Sequence, residues 1–227
     1  MRKLNSLIAV LVICFVGLSV CGQRKEISKE MFHDSYKKAG ENLGKLSYRV
    51  ISEMFVYGAD ETQIRRYSKG TTENLSPTVW RSVSELKENE INRTTYFEKI
   101  RIGEVEYNKD KNGVWTKKTV VQPQPSPLIR NNSHIAKYFL TENARLGNEV
   151  VDLYEMESQY NNQSTEPRTG RTVQYSGRLE QKNWINKKGL TSKVELTDVD
   201  EESGKIKSRR ILIYQYDPNI KIEAPIE

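Results

Sequence analysis

The sequence predicts a mainly β protein, one large antiparallel sheet of about eleven strands preceded by a single helix. Three observations carry this. Apolar and polar residues alternate with period two through most of the chain after residue 45. Short turn sequences, such as Lys109-Asp110-Lys111-Asn112-Gly113, separate the alternating segments and make consecutive strands antiparallel neighbours. Only residues 23–44 have helical spacing, and no long helical crossover is present to support a parallel sheet.

The chain begins with an address. Arg2 and Lys3 precede the uncharged run Leu7 to Val20, whose 14 residues fall short of the roughly 20 that a membrane-crossing helix needs. A basic start, a short apolar run and small residues after it make a secretory signal peptide, residues 1–22. Two processing routes fit. Val20-Cys21-Gly22 suits cleavage after Gly22, whereas Leu18-Ser19-Val20-Cys21 resembles a lipoprotein signal in which Cys21 carries the lipid. The expected location is outside the cytoplasm: the periplasm, or a membrane surface if Cys21 is lipidated. Residues 23–227 read as a single β domain.

Charge and cysteine content narrow the chemistry. The full chain has 36 Lys plus Arg against 30 Asp plus Glu and a net charge of +6, which falls to +4 once residues 1–21 are removed. That mild excess is spread along alternating strands and gives no focused field for nucleic acid. The two cysteines, Cys14 and Cys21, both belong to the leader or its cut. The domain therefore has no disulfide and relies on a hydrophobic core, which a chain of this length can bury.

Each later element has its own signal. Ser28 is placed to cap a helix whose narrow stripe is Met31, Phe32, Tyr36 and Ala39, with Gly40 and Gly44 to end it. Strands are expected over 46–56, 62–68, 78–87, 93–102, 105–109 and 114–118. Five more follow at 137–143, 149–157, 171–186, 190–199 and 205–216. Leu146-Gly147-Asn148, Asn186-Lys187-Lys188-Gly189 and Glu202-Ser203-Gly204 punctuate the later ones. Gln122 to Pro127 reads QPQPSP and begins an irregular loop to Ser133 that separates six strands from five, since proline cannot donate to a ladder. A sheet this large closes into a barrel or curves, with the helix across its concave side.

No catalytic or metal constellation stands out. His33 and His134 are far apart, on the helix and in the loop, with no nucleophile elbow. The carboxylates Glu85, Glu98, Glu155 and Glu157 are scattered on strands. No HxH, HExxH, CxxC or phosphate-loop pattern occurs, and Asp198 to Glu202 lacks EF-hand spacing. The sequence predicts neither an enzyme nor a cofactor or metal site.

Several patterns together resemble a known superfamily. They are the hairpin from Ile102 through Gly103, Tyr107 and the KDKNG turn to Trp115, and Asn183-Trp184-Ile185-Asn186-Lys187-Lys188-Gly189-Leu190. The closing segment Tyr216-Asp217-Pro218-Asn219 to Pro225 is the third. The chain resembles the LolA/LolB-type outer-membrane lipoprotein carriers and related lipid-carrying lipoproteins over roughly residues 28–226. The resemblance implies an eleven-strand half-barrel, covered by helix, that holds acyl chains on its concave face. The expected function is that of a non-catalytic carrier for a lipid or acyl chain, with a membrane lipoprotein or envelope protein as possible partner. The alternative is a structural or protein-interaction component of the cell envelope without a ligand. Aliphatic and tyrosine side chains on the more apolar strand faces are the cavity candidates: Tyr48, Val50, Met54, Ile100, Ile102, Val194, Leu196 and Leu212.

Overall fold

The structure, a computed structural model, describes residues 22–58, 63–120, 133–165 and 172–226. Residues 1–21, Cys21 among them, and the Pro-rich stretch up to residue 132 lie outside the described residues. The elements in chain order are β1 (Arg24–Glu26), α1 (Lys29–Leu43), β2 (Tyr48–Tyr57), β3 (Ile64–Ser76), β4 (Val79–Glu88), a 3-10 turn (Asn89–Ile91), β5 (Arg93–Ile102), β6 (Val105–Lys109) and β7 (Trp115–Thr119). They continue with β8 (Ser133–Leu146), β9 (Glu149–Thr165), β10 (Thr172–Asn186), β11 (Thr191–Asp200) and β12 (Ile206–Tyr216).

All twelve strands form one antiparallel sheet in the order β1-β8-β9-β10-β11-β12-β2-β3-β4-β5-β6-β7. The sheet curves but does not close, so the fold is an open half-barrel with one helix. Two meanders, β2 to β7 and β8 to β12, join where β12 pairs with β2 from Ser208↔Val56 to Tyr216↔Tyr48. Strands adjacent in sequence across the Pro-rich stretch, β7 and β8, therefore stand on opposite flanks of the sheet. Glycine serves the tight turns, with positive φ at Gly103, Gly113, Gly147, Gly189 and Gly204.

Four expectations change. The first is strand count: Arg24–Glu26 adds a short twelfth strand, paired with β8 from Arg24↔Thr141 to Glu26↔Phe139. Its three residues are all exposed and carry no alternation, so only the neighbouring edge makes them a strand. The second is the helix end. Gly40 lies inside α1, and Gly44 is the C-cap, its N–H bonding back to the Gly40 carbonyl at 3.0 Å. Ser28 caps the start as expected, accepting from the Met31 N–H at 3.2 Å. Of the apolar stripe only Phe32 and Ala39 are buried. The third is β3, which runs to Ser76 because its partners on both sides continue the ladder through a stretch without apolar alternation. The fourth is His134, whose backbone belongs to β8 rather than to a loop.

The two faces of the sheet differ in chemistry. On the outer face, charges pair across strands: Arg24 with Glu155 (3.0 Å) and Glu157 (2.6 Å), Arg209 with Glu195 (2.7 Å), Arg49 with Glu73 (2.8 Å), and Arg81 with Glu98 (2.6 Å). Each such exposed pair contributes about 0–1 kcal/mol, so the ladder keeps this face wet more than it holds the fold. Burial works to raise the Glu195 carboxyl, but hydrogen bonds from Lys193 and Arg209 outweigh it and hold it below its ordinary value. Glu98, between Arg81 and Lys109, and Glu106, beside Asn108 and Lys118, are lowered in the same way. A lowered folded-state value gives stability that is complete above the ordinary value of 4.5 and is lost as pH falls through the lowered one. The melting temperature should stay level from neutrality to about pH 5 and fall below about pH 4.5. A melting temperature unchanged down to pH 3, followed by circular dichroism, would contradict this account.

Candidate functional site

The helix decides which face can bind. α1 lies over the inner face from β8 to β11. Phe32 meets Tyr138 of β8 at a ring separation of 5.1 Å, and Asn42 Nδ2 donates to the Gly189 carbonyl beside β11 at 3.2 Å. Register then assigns every strand. One row of cross-strand neighbours on the inner face runs Leu140, Tyr154, Asn183, Val194, Leu212, Ser52, Gly70, Ser84 and Phe97. Leu140, Asn183 and Val194 are buried beneath the helix. Tyr154, Leu212, Ser52 and Ser84 are half-buried, Gly70 is buried between its two neighbouring strands, and Phe97 is exposed. Cover thus runs out along the row, and from β12 to β5 the inner face is a trough left open by the described residues.

Small residues shape the trough floor. A Cβ on Gly70 would lie 2.9 Å from the Ser84 Cβ and 3.1 Å from the Val83 carbonyl, so only glycine fits between Ser52 and Ser84. Thr72 and Ser82 share a hydroxyl hydrogen bond of 3.1 Å on the next row. On the inner face of β10 the same device appears at Gly177, where the Tyr160 ring crosses and its hydroxyl donates to Asp198 at 2.6 Å. At the helix side the wall is aromatic. Tyr48 packs against Tyr214 at 6.1 Å and Tyr216 at 6.4 Å, and the Tyr216 hydroxyl donates to the Thr191 carbonyl at 2.7 Å. Burial, with Tyr36 and Tyr48 nearby, pushes the Tyr214 phenol up to about 12. Burial raises Tyr48 and Tyr216 as well, so this wall is uncharged at neutral pH. Arg210 stands between Leu196 and Met54 on the adjacent row and interrupts the apolar surface.

The structure brings six of the eight cavity candidates to one face. Tyr48, Val50, Met54, Val194, Leu196 and Leu212 all lie on the inner face. They divide by cover, since Val194 is buried at 6% exposure while Met54 is open at 41%. Ile100 and Ile102 are corrected to the outer face: β5 pairs Arg101 with Trp80 and Ile100 with Arg81, which puts even-numbered β5 residues on the side of Arg81 and Glu98. The 3-10 turn between β4 and β5, with Asn92 in the left-handed region, fixes that register at Glu88↔Arg93. Ile100 instead buries itself against its cross-strand partner Tyr107 in a small satellite cluster. Tyr214 and Phe97 join these six on the inner face. Tyr214 shares the parity of Leu212 and was legible on that ground, but Phe97 becomes an inner-face residue only through the β4–β5 register.

A depression of about 570 Å³, whose lining includes Phe97, lies at the exposed margin of β5 beside the hairpin tip Asp110 to Gly113. Among the described residues no three His, Cys, Asp or Glu side chains gather as a metal site, and no helix is long and apolar enough to cross a membrane.

No protein-family model matches the chain, and no curated protein matches it. Among solved structures it is similar to LprF from Mycobacterium bovis at 10% identity and a TM-score of 0.45, over 89% of this chain and 100% of that one. It is similar to a domain described as an outer membrane lipoprotein-sorting protein from Vibrio parahaemolyticus at 9% identity and a TM-score of 0.30, over 84% and 93% of the two chains. A DUF1329 family protein from Desulfovibrio piger matches at 12% identity and a TM-score of 0.26, over 84% and 95%.

Proposed function

We propose that the chain is an exported, non-catalytic carrier that holds a lipid or acyl chain in the trough between β12 and β5. The observation that carries this reading is the change of cover along the inner face, from buried Leu140, Asn183 and Val194 beneath α1 to mostly half-buried residues over β2, β3 and β4, with Met54 exposed. An apolar chain laid there completes the burial that the helix begins. Each methylene removed from water contributes about 0.8 kcal/mol, so a long acyl chain binds with few polar contacts. Tyr48, Val50, Met54 and Leu212 form the contact surface in this reading, and the hydroxyls of Ser52, Thr72 and Ser82 tolerate a polar end. Leu196 lies at the boundary of the covered part, and Val194 beneath it belongs to the core. Cleavage before Cys21, with lipid on that residue, would hold such a carrier at a membrane; cleavage after Gly22 would release it to the periplasm.

Native mass spectrometry with lipid extraction, on the protein purified after export to a bacterial periplasm, tests the reading. The expected result is a reproducible bound mass of lipid size that disappears on delipidation. A folded protein that carries no added mass, and takes up no fatty acid when offered it, is not a carrier.

A further inference from the structure

The sheet guards part of each flank and leaves a further edge open within it. β8 is covered over its middle, from Tyr138 to Thr141, by β1 and by the Ile27 N–H, which donates to the Tyr138 carbonyl at 2.9 Å. At the opposite flank β7 is only five residues long and carries the exposed cations Lys117 and Lys118, a common guard against edge-to-edge pairing. β5 is different. β6 pairs with it only from Glu98↔Lys109 to Ile102↔Val105, so Arg93 to Phe97 has β4 on one side and, among the described residues, no strand on the other. This margin reads Arg-Thr-Thr-Tyr-Phe, rich in strand-favouring residues and without proline. Tyr96 is 69% exposed and Phe97 44%. The depression of about 570 Å³ lies between this margin and the hairpin tip Asp110 to Gly113, beyond the last β5–β6 pair, Glu98↔Lys109.

We infer that this edge is the self-association surface of the protein, and that a second copy of the chain fills it with its own Arg93–Phe97. The occupant follows from self-complementarity. Antiparallel pairing about a two-fold axis at Thr95 sets Thr95 opposite itself, Thr94 opposite Tyr96, and Arg93 opposite Phe97. Each is a favourable cross-strand pair, and no like charges meet. Closed two-fold contacts of this isologous kind are the commonest way that identical chains associate. The hairpin tips of the two copies bracket the paired strands from opposite ends. Five residues a side make a small interface, so the dimer is weak and depends on concentration. The inference rests on the backbone edge of β5 and not on a ligand in the trough, whose proposed contacts lie on β12 and β2.

Sedimentation equilibrium and light scattering on the exported protein, from about 10 μM to 1 mM, read the association directly. The wild type is expected to shift from monomer to dimer across that range. Thr95→Lys sets two cations against each other at the axis and should weaken the dimer about tenfold or more, with an unchanged far-ultraviolet spectrum. Thr95→Cys supplies a second readout that tolerates a partly destabilised fold. It should form a disulfide-linked dimer under mild oxidation, and Thr94→Cys, off the axis, should do so far less. A wild type that stays monomeric throughout, a dimer indifferent to Thr95→Lys, or equal crosslinking of the two cysteine variants would overturn the inference. In the first case the edge is left to a strand of another protein or to none.

Discussion

Replacing Phe32 by alanine is expected to destabilise the protein by about 3–5 kcal/mol, the range for a buried phenylalanine whose cavity cannot collapse. Phe32 is only 3% exposed and stacks on Tyr138, while the other large apolar residues of the α1 stripe, Met31 and Tyr36, are largely in water. One ring therefore carries most of the apolar attachment of the helix to β8, helped by the Asn42 hydrogen bond at the far end. Its loss exposes the row beneath, including Leu140 and Val194. Urea unfolding should show a lower midpoint, and a hydrophobic dye should bind the variant more strongly before global unfolding. A loss below about 1 kcal/mol would mean that the helix is held by something other than this contact.

The second expected result separates core from trough with the same substitution at two positions on one face. Val194→Asp should destabilise by more than about 3 kcal/mol, because a carboxylate placed there is buried beside Asn183 and Leu212 beneath the helix, while Arg210 stands a row away opposite Leu196. Met54→Asp should change stability by about 1 kcal/mol or less, since water reaches that side chain. It should nevertheless lower retention of an acyl ligand by about tenfold or more, through lost apolar contact and a charge to desolvate. Thermal melts and ligand occupancy by native mass spectrometry, on the two variants side by side, check both halves. If Met54→Asp keeps its full ligand load, the ligand does not cross β2, and the trough as drawn is not the binding surface.

These two residues show where reading the sequence stopped. Met54 and Val194 were equivalent in the sequence, each an apolar residue on an alternating strand. Alternation specifies which residues share a face of their own strand, since side chains point to opposite sides with period two. It says nothing about what lies above that face. The helix makes the difference, and its position depends on Phe32 meeting Tyr138 more than a hundred residues away. The misplacement of Ile100 and Ile102 has a related cause. Their apolar character is real, but the face they occupy is set by the register across the Asn89–Ile91 turn, and a shift of one residue there would move the whole strand to the other side.

By itself the sequence determined the local architecture: a mainly β chain, its hairpin turns at Gly113, Gly147, Gly189 and Gly204, the Ser28-capped helix, and antiparallel order within each half. These follow from near-neighbour chemistry, such as turn glycines, caps and period-two patterns, which a short window of residues contains. The tertiary structure decided what depends on distant partners. It recruited Arg24–Glu26 as a twelfth strand, extended β3 through a polar stretch, joined the two meanders at β12 and β2, and left the inner face covered on one half and open on the other. Those outcomes rest on ladder hydrogen bonds and packing between segments far apart in the chain, and backbone groups pair with whatever edge is presented to them, whatever their own side chains signal.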